Sequence, residues 1–381
     1  MSSHARRYEL DWLRVLAILA VFLYHCSRFW DLYPWHVKDV VASPALHAVG
    51  GFLVQWGMPL FFVISGAAVF YALGTRPAWR FVRDRVLRLA VPLVFGMFIL
   101  SPPQIYLERL THGQFSGNLF QWLPRFFDGI YEAGGNFPLS GVHLWFLFLL
   151  LILTLLTLPL TVPGRTEKGS PLARLGRLAR RPWTILLLWI PLALVDALFD
   201  PEIAIRVAGG WNIVSYLLFF MFGYMVYSNE EARDVPQRLF VPLLIAGACL
   251  TTLGYVLYYG LGVRPEYGTL AWAGVQVLRG ARAWFWILAI LGIAERYLNR
   301  TNLFLSYANT AVLPFYILHQ PVILAVGYFV VKWNTTIGVK YLVITASSFA
   351  VVMLVYELLV RRIRPVRYVF GIGQQKKPRP A

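Results

Sequence analysis

The first apolar stretch of the chain carries three ionisable side chains, Asp11, Arg14 and His25. On an α-helix Asp11 and Arg14 stand three residues apart and can pair. The step from Arg14 to His25 closes whole helical turns to within about 20° while rising about 16 Å. Both side chains therefore share one helix face. An imidazole, with an ordinary pKa of about 6.5, can take a hydroxyl proton or carry an acyl group near neutral pH. A guanidinium stays charged and suits anionic groups. His25 alone leaves base and covalent carrier equally open. The same polar face would also serve a proton-coupled transporter or exporter.

Three more histidines are expected at a depth similar to His25. His143 opens His143-Leu-Trp145-Phe-Leu, and His319 lies in Pro314-Phe-Tyr316-Ile-Leu-His319-Gln320-Pro321. His36 follows Trp35 in the first loop. Each also has a structural reading, as a bond between helices or, for His143 beside Trp145, as an interfacial anchor. None shows ligand spacing such as H-x-x-x-H, so no metal site is expected. Arg85 and Arg88 enter the third apolar segment, where paired guanidinium groups suit phosphates or anchor on anionic lipid. Phe61-Phe-Val-Ile-Ser65-Gly66 offers small residues for close helix packing. Asp196 and Glu357 fall near helix ends and are expected to be wet, with Glu357 paired to Arg361. The aromatic stretch 108–140 reads as an interfacial helix in the aromatic belt rather than a sugar-stacking platform.

These residues need helices to hold them. The 381 residues are 58% apolar and only 14% charged, with mean hydropathy +0.60. A soluble chain carries about 25% charged residues. Ten apolar blocks can be marked, at roughly 9–30, 46–73, 86–107, 141–162, 183–200, 211–228, 239–260, 270–294, 303–331 and 338–360, near the length that crosses a bilayer as helix. They do not alternate as barrel strands do. The fold class is all-α, a polytopic membrane protein of about ten transmembrane helices. The first block contains charges and lacks a small-residue cleavage site, so it reads as a retained helix rather than a signal peptide. Cys26 and Cys249 both fall in apolar blocks, which argues against a disulfide framework. No internal repeat is evident.

With the N-terminus inside, Lys and Arg divide between inner and outer segments about three to one, which predicts both termini in the cytoplasm. The net charge of +17 is thus topological. It is spread over several inner segments with no nucleic-acid motif beside it, so no nucleic-acid partner is expected. Residues 1–370 read as one transmembrane domain, 164–181 as a basic linker, and 371–381 as a basic, disordered, lipid-facing tail.

Taken together, the motifs resemble membrane acyltransferase family 3. Arg14 and His25 in the first helix, Phe61–Gly66 in the second and Arg85-x-x-Arg88 at the third carry the likeness, with His143-Leu-Trp145-Phe-Leu and Tyr316-x-x-His319-x-Pro321 extending it. Trp35-His36-Val37, Ala308-Asn309 and Tyr356-Glu357 are similar to the branch that succinylates periplasmic glucans. The resemblance implies transfer of an acetyl, succinyl or similar group from a cytoplasmic donor, acyl-CoA, to a carbohydrate hydroxyl on the outer side. It implies His25 as the catalytic histidine with Arg14 and Asp11 as partners, and a bacterial inner-membrane location. Arg85, Arg88 and Ser65 would serve the donor. His36, Trp35, His143, Trp145, Asn309, Tyr316 and His319 would line the acceptor side. No permanently bound cofactor is implied, and the oligomeric state is left open.

Overall fold

The structure is a computed structural model describing residues 6–75, 77–162, 169–178, 182–199 and 209–372. Among these the regular structure is helical, with one isolated β-bridge between Ile130 and Phe137. The main helices are α1 (Tyr8–Ser27), α2 (Pro44–Thr75), α3 (Ala78–Phe95), α4 (Ser101–Thr111), α5 (Trp145–Leu156), α6 (Ile213–Tyr227), α7 (Glu230–Tyr255), α8 (Leu270–Tyr297), α9 (Leu303–Val330) and α10 (Ile337–Val355). A π-helical turn, Gly96–Leu100, joins α3 to α4, and further π turns extend α7 and α10.

Among the described residues, seven helices are long and apolar enough to cross a membrane: Tyr8–Ser27, Pro44–Thr75, Ala78–Thr111, Glu230–Gly260, Leu270–Tyr297, Leu303–Val330 and Ile337–Val360. The other three blocks expected to span form shorter apolar helices, Val142–Leu156, Thr184–Leu198 and Ile213–Tyr227. Proline accounts for one interruption. Pro191 cannot donate to the Leu187 carbonyl four residues earlier, and a turn forms there in which the Ile190 N–H donates to Leu187 O at 2.9 Å. The 164–181 stretch differs from the expected linker, since Pro171–Leu178 is helical. Residues 163–168 and 179–181, like 373–381 of the expected tail, lie outside the described residues.

The chain divides into two compact units. The first contains Met1–Ala17, Gly51–Phe81 and Ile152–Leu305. Here α2 and α6 cross backbone to backbone: a Cβ at Gly66 would run into the Phe220 carbonyl, and one at Gly223 into the Val63 carbonyl. Small residues at such crossings let the helix axes approach. Pro59 leaves the Gln55 carbonyl without its helical donor, and the Trp211 indole N–H supplies one at 3.2 Å. Asp196, expected to be wet, is buried. It accepts from Asn212 Nδ2 at 2.6 Å and Ser215 Oγ at 3.1 Å, and Arg279 approaches it at 3.4 Å. The reason is that Arg279, within apolar α8, needs a counter-charge.

The second unit contains Ile18–Gly50, Val82–Leu151 and Ser306–Ala381. Phe22 meets Phe315 and Phe349 edge-on, at ring separations of 5.3 and 6.1 Å. Gly327 lies where a side chain would strike the Phe29 ring. The loop after α1 is pinned by charge. Asp31 pairs with Arg28 and with Lys38, and Asp39 accepts from Trp30 Nε1 at 2.9 Å and Lys340 Nζ at 2.7 Å. The aromatic stretch is not the single interfacial helix expected: glycines at positive φ (Gly113, Gly117, Gly129 and Gly134) break it into short turns, which fold around Ile105, Trp122 and Phe126. Glu357 pairs with Arg361 at 2.9 Å, as expected, and also accepts from Tyr307.

Candidate active site

Within the second unit, the site begins with a proline. Pro321 has no N–H to offer the Ile317 carbonyl one turn back in α9. His143 fills that vacancy, its Nε2–H donating to Ile317 O at 2.9 Å. The preceding backbone is forced into place: Gly141 and Val142 both have positive φ, 76° and 58°. For a β-branched residue such as Val142 this conformation costs about 1–3 kcal/mol. Tyr316 closes the contact from the other side, its hydroxyl donating to the His143 carbonyl at 2.6 Å.

His319 and His25 form the first imidazole pair, with His319 Nε2 and His25 Nδ1 3.1 Å apart. His319 Nδ1 lies against the Tyr316 carbonyl. A carbonyl only accepts, so Nδ1 carries the hydrogen and, in the neutral ring, Nε2 is the acceptor. His25 must then donate from Nδ1, which leaves its own Nε2 with an unprotonated lone pair. His319 is fully buried while His25 is half-buried, so the bare nitrogen belongs to the more accessible ring. The Trp35 indole stacks on His25 at 6.2 Å with an interplanar angle of 17°.

A second network starts at α4. Gln104 Nε2 donates to the Leu100 carbonyl at 2.8 Å and lies 3.3 Å from His143 Nδ1. Its Oε1 accepts from Gln320 Nε2 at 3.2 Å, and the same Gln320 nitrogen lies 3.3 Å from His36 Nε2. Since an amide nitrogen only donates, His36 Nε2 is an acceptor and its Nδ1 bears the hydrogen that Glu108 receives. Glu108 also accepts from the Tyr131 hydroxyl at 2.6 Å and from Arg109 at 3.2 Å. Burial, and then the Glu108 carboxylate, push the Tyr131 hydroxyl well above its ordinary pKa, so it stays a donor. The end of α4 holds the loop: Thr111 Oγ1 donates to the His36 carbonyl at 2.8 Å, and His112 Nε2 to the Trp35 carbonyl at 3.1 Å.

The remaining expected residues are placed as follows. Asp11, Arg14 and Ser65 belong to the first unit. There Asp11 accepts from Arg14 at 3.0 Å, and Arg6 also approaches it, at 2.8 Å. Ser65 precedes the Gly66 crossing on α2. Arg85 and Arg88 lie on α3 in the second unit, Arg85 half-buried and Arg88 exposed. Trp145 is buried at the start of α5, and Asn309 is half-buried on α9. Gln104, Glu108, Gln320 and Tyr131 were not expected. A signal existed for the first two, whose spacing of four residues puts both polar groups on one face of α4. Ending the apolar segment at 107 hid it by placing Glu108 outside the helix.

Comparison with known proteins gives the family. A family model described as an acyltransferase domain matches residues 7–357. Glucans biosynthesis protein C of Salmonella schwarzengrund (strain CVM19633) is 25% identical over 379 residues, covering 96% of this chain and 94% of the relative. The protein of the same name from Salmonella gallinarum (strain 287/91 / NCTC 13346) is 24% identical over the same shares. No solved structure matches. The family match spans nearly the whole chain, on a fold of long apolar helices: the chain belongs to acyltransferase family 3, and the protein is a membrane acyltransferase.

Proposed function

We propose that the protein is an O-acyltransferase moving an acetyl, succinyl or similar group from cytoplasmic acyl-CoA to a hydroxyl of an extracytoplasmic carbohydrate. The observation that carries this reading is the unprotonated Nε2 of His25, held by the hydrogen-bond polarity that runs from the Tyr316 carbonyl through His319. Such a nitrogen can take the hydroxyl proton, or bond to the acyl carbon and carry it. In either route the sugar oxygen ends bonded to the acyl carbon. The carbon–sulfur bond of the thioester breaks with its electron pair on sulfur, and the hydroxyl proton balances the thiolate. The acyl donor is a co-substrate, so no resident cofactor enters the scheme.

Arg14, oriented by Asp11, favours anionic parts of the donor. Arg85, Arg88 and Ser65 take the donor, with the guanidinium groups on its phosphates. Trp35, Trp145, Asn309, Tyr316, His36, His143 and His319 serve the acceptor side. The relatives' name refers to glucans, which makes a glucan hydroxyl the favoured acceptor. Ten spans, counting the three shorter apolar helices, with both termini cytoplasmic in a bacterial inner membrane, fit the roughly three-to-one cation division. The direct test is mass spectrometry of envelope glycans with and without this protein. A glycan ester lost on deletion supports the reading; unchanged esters refute it.

A further inference from the structure

Among the described residues of the second unit, the Nε2 acceptor of His319 is taken by His25, while His25 and His36 each present an Nε2 acceptor that faces no hydrogen-bond donor closer than 3.3 Å. His25 Nε2 has no hydrogen-bond partner among the described residues. His36 Nε2 faces Gln320 Nε2 at 3.3 Å, just beyond the usual 2.7–3.2 Å range and so a weak contact. A sugar hydroxyl is a donor of the same polarity and can take that slot. Behind His36 stands what an ordinary imidazole lacks: a buried carboxylate, Glu108, receiving the Nδ1 hydrogen and itself fixed by Tyr131 and Arg109. A carboxylate so placed holds the tautomer and stabilises the imidazolium once a proton arrives. His143 has a like 3.3 Å amide contact at Nδ1, from Gln104, but no carboxylate behind it, since its Nε2 hydrogen goes to the neutral Ile317 carbonyl. His25 and His36 are joined to consecutive residues of α9, His319 and Gln320, which sets them at the same level of that helix.

We propose that His36, positioned by Glu108, is the base that takes the proton of the acceptor hydroxyl, leaving His25 as the nitrogen that carries the acyl group. The proposal rests on the acyltransferase reading above and divides its chemistry into two steps. First, His25 Nε2 bonds to the acyl carbon and the carbon–sulfur bond breaks, its electron pair leaving with the thiolate. The Nδ1 proton of His25 passes to His319 Nε2, so the acyl-imidazole is neutral. In the second step the sugar oxygen bonds to the acyl carbon, and the carbon–nitrogen bond breaks with its pair returning to His25 Nε2. The hydroxyl proton goes to His36 Nε2, and His319 returns its proton to His25 Nδ1. The proton on His36 then leaves to water, which supplies one to the thiolate.

The test uses the full chain in lipid vesicles, with succinyl-CoA as donor and a linear glucose oligomer as acceptor. Thiol release in the first turnover and sugar-ester formation are read separately. In Glu108→Gln the side-chain amide can donate toward His36 Nδ1, which drives the ring hydrogen to Nε2 and removes the base. Ester formation should fall about a hundredfold or more, the usual worth of a general base. First-turnover thiol release should stay within about twofold of wild type, because that step does not use His36. Imidazole ¹⁵N shifts of His36, identified by their loss in His36→Gln, should report hydrogen on Nδ1 in wild type and on Nε2 in Glu108→Gln. Thermal midpoint and membrane insertion of Glu108→Gln, measured beside wild type, control for damage to the fold. Undiminished ester formation in Glu108→Gln, parallel loss of both steps, or hydrogen on His36 Nε2 in wild type each overturns the proposal. A separate arm isolates the underlying reading: a His25→Gln variant that keeps both steps overturns the placement of the reaction at His25, whatever Glu108→Gln does.

Discussion

At the scale of residues, the organising fact of the second unit is that carbonyls dictate tautomers. The Tyr316 and Ile317 carbonyls each demand a ring hydrogen, and that demand decides which nitrogen of His319, His25 and His143 is left to accept. The loop anchor nearby answers to pH. Burial alone would raise the Asp39 pKa, but donors from Lys340, Val41 and Trp30 outweigh it and hold the group below its ordinary value. A depressed folded-state pKa means that the stabilisation is fully present above the unfolded value of about 3.9 and is lost as pH falls through the folded one. Asp39→Asn strands the buried Lys340 charge and should cost about 3–5 kcal/mol near neutral pH. The gap in thermal midpoint between variant and wild type should be wide at neutral pH and close in strong acid. A constant gap would refute the ion pair as its source. Arg85 and Arg88 permit a chemical distinction too. If they grip donor phosphates, replacing both by Lys should raise the KM for acyl-CoA several-fold, because an ammonium cannot reproduce the bidentate geometry. Unchanged KM in the double-Lys variant assigns them to lipid anchoring instead.

At the scale of elements, prolines and glycines decide more than propensity does. Pro59 and Pro321 each free a carbonyl that a distant ring N–H then claims, Trp211 in one unit and His143 in the other. Pro321→Ala would give α9 a backbone N–H able to compete with His143 for the Ile317 carbonyl. The helix itself should gain stability, while ester formation should fall about tenfold or more as His143 loses its fixed tautomer. Raised thermal stability with full activity would show that the His143 bond is incidental. Much of this level was legible in the sequence. The long apolar runs marked the seven long helices, and Phe61–Gly66 announced a close crossing. What was not legible is lateral contact. His25 and His319 stand 294 residues apart in sequence, and no periodicity says which helices face one another. Asp196 was misread for the same reason, since its burial depends on Arg279 arriving from another helix.

At the scale of the whole molecule, the uneven spread of Lys and Arg makes a claim about sidedness. An inner N-terminus puts Arg174, on the helix Pro171–Leu178, in the cytoplasm, and Asn334, between α9 and α10, outside. Both are exposed. In a protein freed of Cys26 and Cys249, a membrane-impermeant thiol reagent should label Asn334→Cys in intact cells and Arg174→Cys only after permeabilisation. The reverse pattern would overturn the orientation, and with it the donor and acceptor sides assigned here.

The central claim is that His25 does the chemistry through a nitrogen its partners keep bare. The most direct measurement is ester formed per folded, membrane-inserted molecule for His25→Gln beside His25→Ala. Glutamine retains hydrogen-bonding capacity but can neither accept a proton near neutral pH nor carry an acyl group. The account predicts that both variants insert and fold yet form essentially no ester. Substantial ester formation by the glutamine variant, with only the alanine variant impaired, would contradict it and make His25 a structural residue.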